Sequence, residues 1–373
     1  GRGMKAIAST FTWSRQLLLG CAFLGAAACG GVQAQPTWPP HAQEWFERGE
    51  ASYRTGDLED ARLAADNAVR LVPNEEKVRL LVARIALADL DFAAAIKALE
   101  GMPSSEAAGL RGRALWYSGE LERAADELER LIADPQVRDP WAVEVAKLAR
   151  RGAGRKPFEI SGGMLAVTEM PRVQGSAMVV PLEVDGEPAL AMLATSNAEV
   201  VIDASRSSEP KWVTLRFGER IEVRDVPALT KDLSGISRQL GAPIKLLLGS
   251  NLLRHLRPTI DLSGDQFVVR SYDPPAPPGA STMSVAYVKG GGMLLRPQLG
   301  AQASTPAATF LVDTTQPFAM ALDEAGWKQA GVDPAGLQPV GAGSPLRRGL
   351  LPMVQLGSLQ IPGVPAFLGA PIA

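Results

Sequence analysis

Leu193-Ala194-Thr195-Ser196-Asn197 and Val312-Asp313-Thr314-Thr315-Gln316 decide how the C-terminal part of this chain reads. Each is an apolar run broken by a short polar stretch with threonine at its centre, the pattern of a strand running into a loop. Their surroundings match as well. Gly162-Gly163-Met164-Leu165 lies before the first and Gly291-Gly292-Met293-Leu294 before the second. Phe217-Gly218 with Val226-Pro227-Ala228 follows the first, and Leu356-Gly357 with Val364-Pro365-Ala366 follows the second. Three correspondences in the same order indicate a duplicated unit and two similar lobes. From Phe158 onward the chain consists of short alternating or apolar runs punctuated by Gly and Pro, which is an all-β signature. The clearest strands are expected at 179–184, 189–193, 212–217, 220–223 and 266–270, and the Pro-rich stretch 273–279 reads as a linker.

A strand ending in Asp-Thr-(Gly/Ser), preceded by apolar residues, resembles the active-site loop of retropepsin-like aspartic proteases. Leu247-Leu248-Gly249-Ser250-Asn251-Leu252-Leu253 is similar to that family's later segment, where a strand turns into a helix, and Thr259-Ile260-Asp261-Leu262 with Phe267-Val268-Val269 to its closing strand pair. The resemblance spans about residues 160 to 373 and is fuller in the first lobe. It implies two β-barrel lobes and a pair of aspartates, one per lobe, that share a proton across a cleft. One would activate water while the other donates to the peptide carbonyl. The second lobe carries Asp313, but the matching position of the first is Ala194, which can neither accept nor donate a proton. Glu199 and Asp203 come too late in the loop to replace it. Ser196 and Thr315 stand where glycine is usual, and Asn197 and Gln316 where a small residue is usual. Thr195 and Thr314, which the resemblance pairs across the two loops, are both present.

The implied protein is an aspartic-protease-like one that is catalytically impaired and binds peptide or protein partners. Two alternatives stay open: an endopeptidase using Asp313, dimer-dependent because two copies would bring two aspartates together, and a scaffold whose β region is inert. The offset between the lobes puts the counterpart of the Gly249 segment past Ala373, so the second lobe is expected to be short or to borrow strands from its neighbour.

Residues 41–152 have a different character, rich in Ala, Leu, Glu and Arg, which is helix-forming composition. Gly56-Asp57-Leu58-Glu59-Asp60-Ala61 recurs as Leu90-Asp91-Phe92-Ala93-Ala94-Ala95 and Gly119-Glu120-Leu121-Glu122-Arg123-Ala124. With Trp45, Gly49, Ala68 and Pro73 the first unit resembles a tetratricopeptide repeat, which implies stacked helical hairpins presenting a groove to a partner. Helices are expected at 45–55, 58–71, 78–88, 92–99, 107–118 and 121–132, with a capping helix at 141–150.

The beginning of the chain reads as an export signal. Lys5 and Arg15 accompany an apolar run at 17–28 that is short for a membrane span. Leu24-Gly25-Ala26-Ala27-Ala28-Cys29 resembles a bacterial lipobox, which implies lipidation of Cys29; Leu18-Leu19-Gly20-Cys21 and a plain cleavage after Val32-Gln33-Ala34 are the competing readings. The expected organisation is therefore a signal segment at 1–34, tetratricopeptide-like repeats at 35–152, and β lobes at 158–273 and 283–373. The expected location is periplasmic, or the outer membrane by a lipid anchor. Cys21 and Cys29 are the only cysteines, and His41 and His255 the only histidines. These counts disfavour thiol or histidine nucleophiles and a histidine metal cluster, and no cofactor or metal is expected. Lys and Arg total 38 against 40 Asp and Glu, so a net charge of -2 gives nucleic acid no electrostatic foothold.

Overall fold

The computed structural model describes residues 37–205, 209–289, 291–302 and 304–370, with the backbone of residues 8–10. The apolar run at 17–28, Cys21 and the expected lipidation site Cys29 lie outside the described residues. No helix among the described residues is long and apolar enough to cross a membrane. An N-terminal helical region leads into two β-barrel lobes, so the fold class is α plus all-β.

Seven helices form the first region: α1 (Pro40–Arg54), α2 (Leu58–Leu71), α3 (Glu76–Ala88), α4 (Phe92–Ala98), α5 (Ser105–Tyr117), α6 (Leu121–Ala133) and α7 (Pro140–Arg151). Their starts are written in the sequence. The Asp57, Asp91, Ser104 and Asp139 side chains each accept a hydrogen bond from a backbone N–H in the first turn, and Pro140 occupies the first turn of α7. The residue before the cap of α2, α4 and α6 has φ of 77°, 58° and 82° at Gly56, Leu90 and Gly119. One left-handed turn thus recurs at every hairpin, and only Leu90 occupies it with a side chain that disfavours it. Alanines on the inner faces (Ala61, Ala65, Ala68, Ala95, Ala124, Ala125) let neighbouring helices approach closely.

The first lobe runs β2 (Glu159–Gly162), β3 (Leu165–Glu169), β4 (Val179–Val184), β5 (Glu187–Leu193), β6 (Val200–Asp203), β7 (Lys211–Phe217), β8 (Ile221–Lys231), α8 (Ser234–Leu240), β9 (Ile244–Leu248), α9 (Ser250–Leu256), β10 (Thr259–Asp261) and β11 (Gln266–Arg270); β1 is the short strand Ala8–Thr10. The main sheet has the order β2-β8-β6-β9-β5-β4-β7, and a further β7–β8 pairing curls it into a barrel around Phe217, Leu215, Val223 and Phe267. Strand β8 extends well past the expected 220–223. Between Val213, opposite Val226, and Leu215, opposite Val223, the ladder takes one more residue from β8 than from β7, a bulge at Arg224-Asp225 where Asp225 has φ of 52°; beyond it Pro227 lies opposite Trp212.

The second lobe comprises β12 (Ala286–Val288), β13 (Gly292–Leu295), β14 (Phe310–Val312), β15 (Met320–Leu322), α10 (Glu324–Gln329), β16 (Gln338–Pro339), β17 (Arg347–Leu356) and β18 (Leu359–Leu368) around Trp327, Phe310 and Leu351. The duplication seen in the sequence has a spatial counterpart. Val226-Pro227-Ala228 lies in β8 and Val364-Pro365-Ala366 in β18; β6 runs parallel to β8 as β15 does to β18. Gly218 and Gly357 turn the hairpins between them with φ of 55° and 62°. In the first lobe β9 fills the gap between β5 and β6. In the second, β1 lies between β14 and β15 with opposite polarity, so this lobe takes in a strand from the far end of the chain.

The helical stack packs on both lobes. Trp212 reaches from β7 into the helical core, where its indole N–H donates to the Leu148 carbonyl at 2.9 Å and its ring meets Trp116 at 5.8 Å. The backbone N–H and hydroxyl of Thr230 donate to Glu144 of α7, both at 3.1 Å. At the other end, Thr309 donates to the Thr55 carbonyl and Arg296 faces Asp57 at 3.6 Å. Removing the Trp212 ring leaves a cavity at the junction. Trp212→Ala is expected to cost about 2–3 kcal/mol and to split one thermal unfolding transition into two in calorimetry.

Candidate functional site

The two threonine-centred loops meet. Strand β5 ends at Leu193 and β14 at Val312, and each loop leaves its strand toward the other lobe. The Thr195 hydroxyl donates to the Val312 carbonyl and the Thr314 hydroxyl to the Leu193 carbonyl, both at 2.7 Å. Each backbone N–H donates to the opposite hydroxyl, Thr195 N to Thr314 Oγ1 and Thr314 N to Thr195 Oγ1, at 3.2 Å. Both threonines are buried. Hydroxyls suit this place because each can donate one hydrogen bond while accepting another. Met293 N donates to Thr195 O at 3.2 Å, which adds β13 to the joint.

Asp313 is buried beside this joint, and both oxygens of its carboxyl group accept hydrogen bonds. Oδ1 accepts from the Ser196 hydroxyl across the lobes at 3.1 Å, from the Thr315 N–H at 3.0 Å and from the Thr315 hydroxyl at 2.6 Å. Oδ2 accepts from the Gln316 side-chain amide at 3.1 Å. Among the described residues, three donors thus converge on Oδ1 and one reaches Oδ2, which keeps an acceptor position open. Ser196, Thr315 and Gln316 all turn polar groups toward Asp313.

Ala194 is fully buried on the first loop, and its N–H donates to the Leu248 carbonyl. It belongs to an apolar cluster with Val179, Met192, Val201, Leu240 and Leu247. The first loop is held by the segment after it. Ser250 N and Asn251 N, the first amides of α9, donate to the Asn197 and Ala198 carbonyls at 2.8 and 3.0 Å. A Cβ on Gly249 would collide with the Glu199 and Ala198 carbonyls, so only glycine brings α9 this close. No cluster of three or more His, Cys, Asp or Glu suited to a metal occurs among the described residues.

One residue has a role that sequence reasoning missed. Glu199, placed by that reasoning at a strand edge, is 8% exposed and points away from the loop joint into the helical stack. Its Oε1 accepts from the Tyr117 hydroxyl at 3.0 Å and from the Trp141 indole at 3.2 Å, and the Arg113 guanidinium lies 3.9 Å over the Trp141 ring. The signal was a lone acid between Ala198 and the apolar run Val200-Val201-Ile202. Burial pushes the Glu199 carboxyl above its ordinary range against the pull of Trp141, Tyr117 and Arg113. In the unfolded chain this group ionises while the folded one still holds its proton. Its contribution to stability is therefore present at acidic pH and is lost as pH rises from the ordinary carboxyl range through the elevated folded value. Glu199→Gln keeps an acceptor for both donors and removes the titration. Urea denaturation between pH 4 and 8 is expected to show that decline in the parent and not in the variant.

Valine at either threonine removes a hydroxyl that both donates and accepts. Thr195→Val and Thr314→Val are each expected to cost about 1–3 kcal/mol. The double variant should cost clearly less than the sum, because one network is broken twice; additive losses in a denaturation cycle would contradict the coupling.

No family model matches the chain, and no curated protein matches it. Among solved structures, a retropepsin-like aspartic protease from Rickettsia conorii is similar over 31% of this chain and 94% of its own, at 12% identity and a TM-score of 0.20.

Proposed function

We propose that this chain is an exported, aspartic-protease-like protein that has lost catalysis and binds an extended peptide or protein partner. The β lobes would supply a retropepsin-like cleft and the tetratricopeptide-like stack a second groove. Export would follow from the signal-like segment, with Cys29 as the lipid-bearing residue of a periplasmic or outer-membrane lipoprotein; cleavage before Cys29 would remove β1, leaving β14 and β15 of the mature second lobe without the strand between them. One observation carries the loss of catalysis. Where a second acid would have to stand there is Ala194 in an apolar cluster. Activation of water by an aspartate pair needs one carboxyl to take a proton and another to give one. Asp313, held by Ser196, Thr315 and Gln316, is a single carboxyl group and cannot do both. The family's pair of threonines supports the same reading, since Thr195 and Thr314 maintain the joint without serving the chemistry.

The test is digestion of an unfolded protein between pH 3 and 6 by the full chain and by Asp313→Asn. Both are expected to leave it uncut at background rate. Cleavage by the parent that disappears in the variant would establish a peptidase instead, and a rate rising with the square of protein concentration would make it the dimer-dependent one.

A further inference from the structure

A cavity of about 310 Å³ lies between the helical stack and the first lobe, away from the threonine joint. Its walls are the turn after α5 (Trp116, Tyr117), the connecting segment Lys156-Pro157-Phe158, and Arg254 and His255 of α9. From this cavity we infer a binding site for a carboxylate carried on a small apolar or aromatic body.

Arg254 motivates the assignment. It is only partly exposed, and its Nε is buried with no hydrogen-bond partner. Its Nη2 donates to the Asn251 side chain at 2.9 Å, and its guanidinium lies 5.5 Å from the centre of the Tyr287 ring. Among the described residues no carboxylate comes within ion-pair distance of it. The acid that also lines the cavity, Glu199, directs its hydrogen bonds to Tyr117 and Trp141. A guanidinium withdrawn from water without an anion is destabilising, and its flat fork of donors matches a carboxylate.

The remaining walls define the rest of the ligand. Trp116, Phe158 and Pro157 are apolar, and Phe158 stacks on the His255 ring at 4.6 Å. Nδ1 of His255 sits 2.6 Å from the Asn251 carbonyl, and burial keeps this imidazole from charging easily. Arg155, which also lines the cavity, is paired with Asp225 at 2.7 Å, and Lys156 is exposed at the rim, so Arg254 is the principal charge inside that has no ion pair among the described residues. The volume is at the small end of ligand cavities, enough for an acid with one ring. A free carboxylic acid and the C-terminal carboxylate of a peptide share this chemistry.

Calorimetric titration of the full chain with N-acetylphenylalanine, its amide, and a tripeptide ending in phenylalanine with a free carboxylate tests the site. The acid is expected to bind with a Kd on the order of 1 mM or tighter and the amide at least tenfold more weakly. A tripeptide tighter than the acid assigns the site to chain ends, and the reverse assigns it to small acids. Arg254→Met should abolish binding while melting at the same or a higher temperature, because it removes an unpaired buried charge. Arg254→Lys should keep weakened binding. Equal binding of acid and amide, no binding by the parent at about 20 mM, binding retained in Arg254→Met, or a lower melting temperature or loss of folding in that variant would each overturn the assignment.

Discussion

Four hydrogen bonds that Thr195 and Thr314 make across the two loops, two to each other and two to the Val312 and Leu193 carbonyls, hold the two β lobes together. Each threonine reaches past its partner to the carbonyl ending the opposite strand, so a shift of either loop breaks bonds on both sides. The groups are buried, and a broken bond would leave polar atoms without water. This requirement explains why a threonine stands at the centre of both loops. It also explains Gly249, since α9 can brace the first loop only if nothing projects between them.

The same geometry separates architecture from chemistry. The threonine bonds use hydroxyls and backbone groups alone, and the Asp313 carboxyl group adds a separate bond across the lobes from Ser196. An alanine at 194 is therefore compatible with a well-formed interface, and its methyl group adds to the packing of β5, β6 and β9. Asp313 is a buried polar group, and burial is stabilising only if such a group is hydrogen-bonded. Ser196, Thr315 and Gln316 meet that demand. Their identities look arbitrary in the sequence and become intelligible as a set of donors around one anion.

Much of the fold was legible because it rests on local rules. The recurring motif at 56–61, 90–95 and 119–124 marked the starts of α2, α4 and α6, whereas α1, α3 and α5 begin earlier than their composition suggested, at Pro40, Glu76 and Ser105. Strands 179–184 and 266–270 were readable from apolar runs alone. The extension of β8 through Pro227 was not, since the strand runs on past a bulge of its own at Arg224-Asp225. The threonine joint was anticipated through a resemblance, with no local signal to fix its bonds. Glu199 escaped notice because its partners, Tyr117 and Trp141, lie 82 and 58 residues away in sequence. Only the docking of helices on the barrel brings them together.

The helical stack touches the first lobe through Trp212, Thr230 and Glu199 and the second through Thr309 and Arg296. It therefore acts as a splint across the two lobes. A joint made only of paired loops would let them pivot, but a rigid arc fastened on both sides removes that freedom. The loop joint and the helical contacts thus brace the two lobes at separate places, so loosening one leaves the other to hold them.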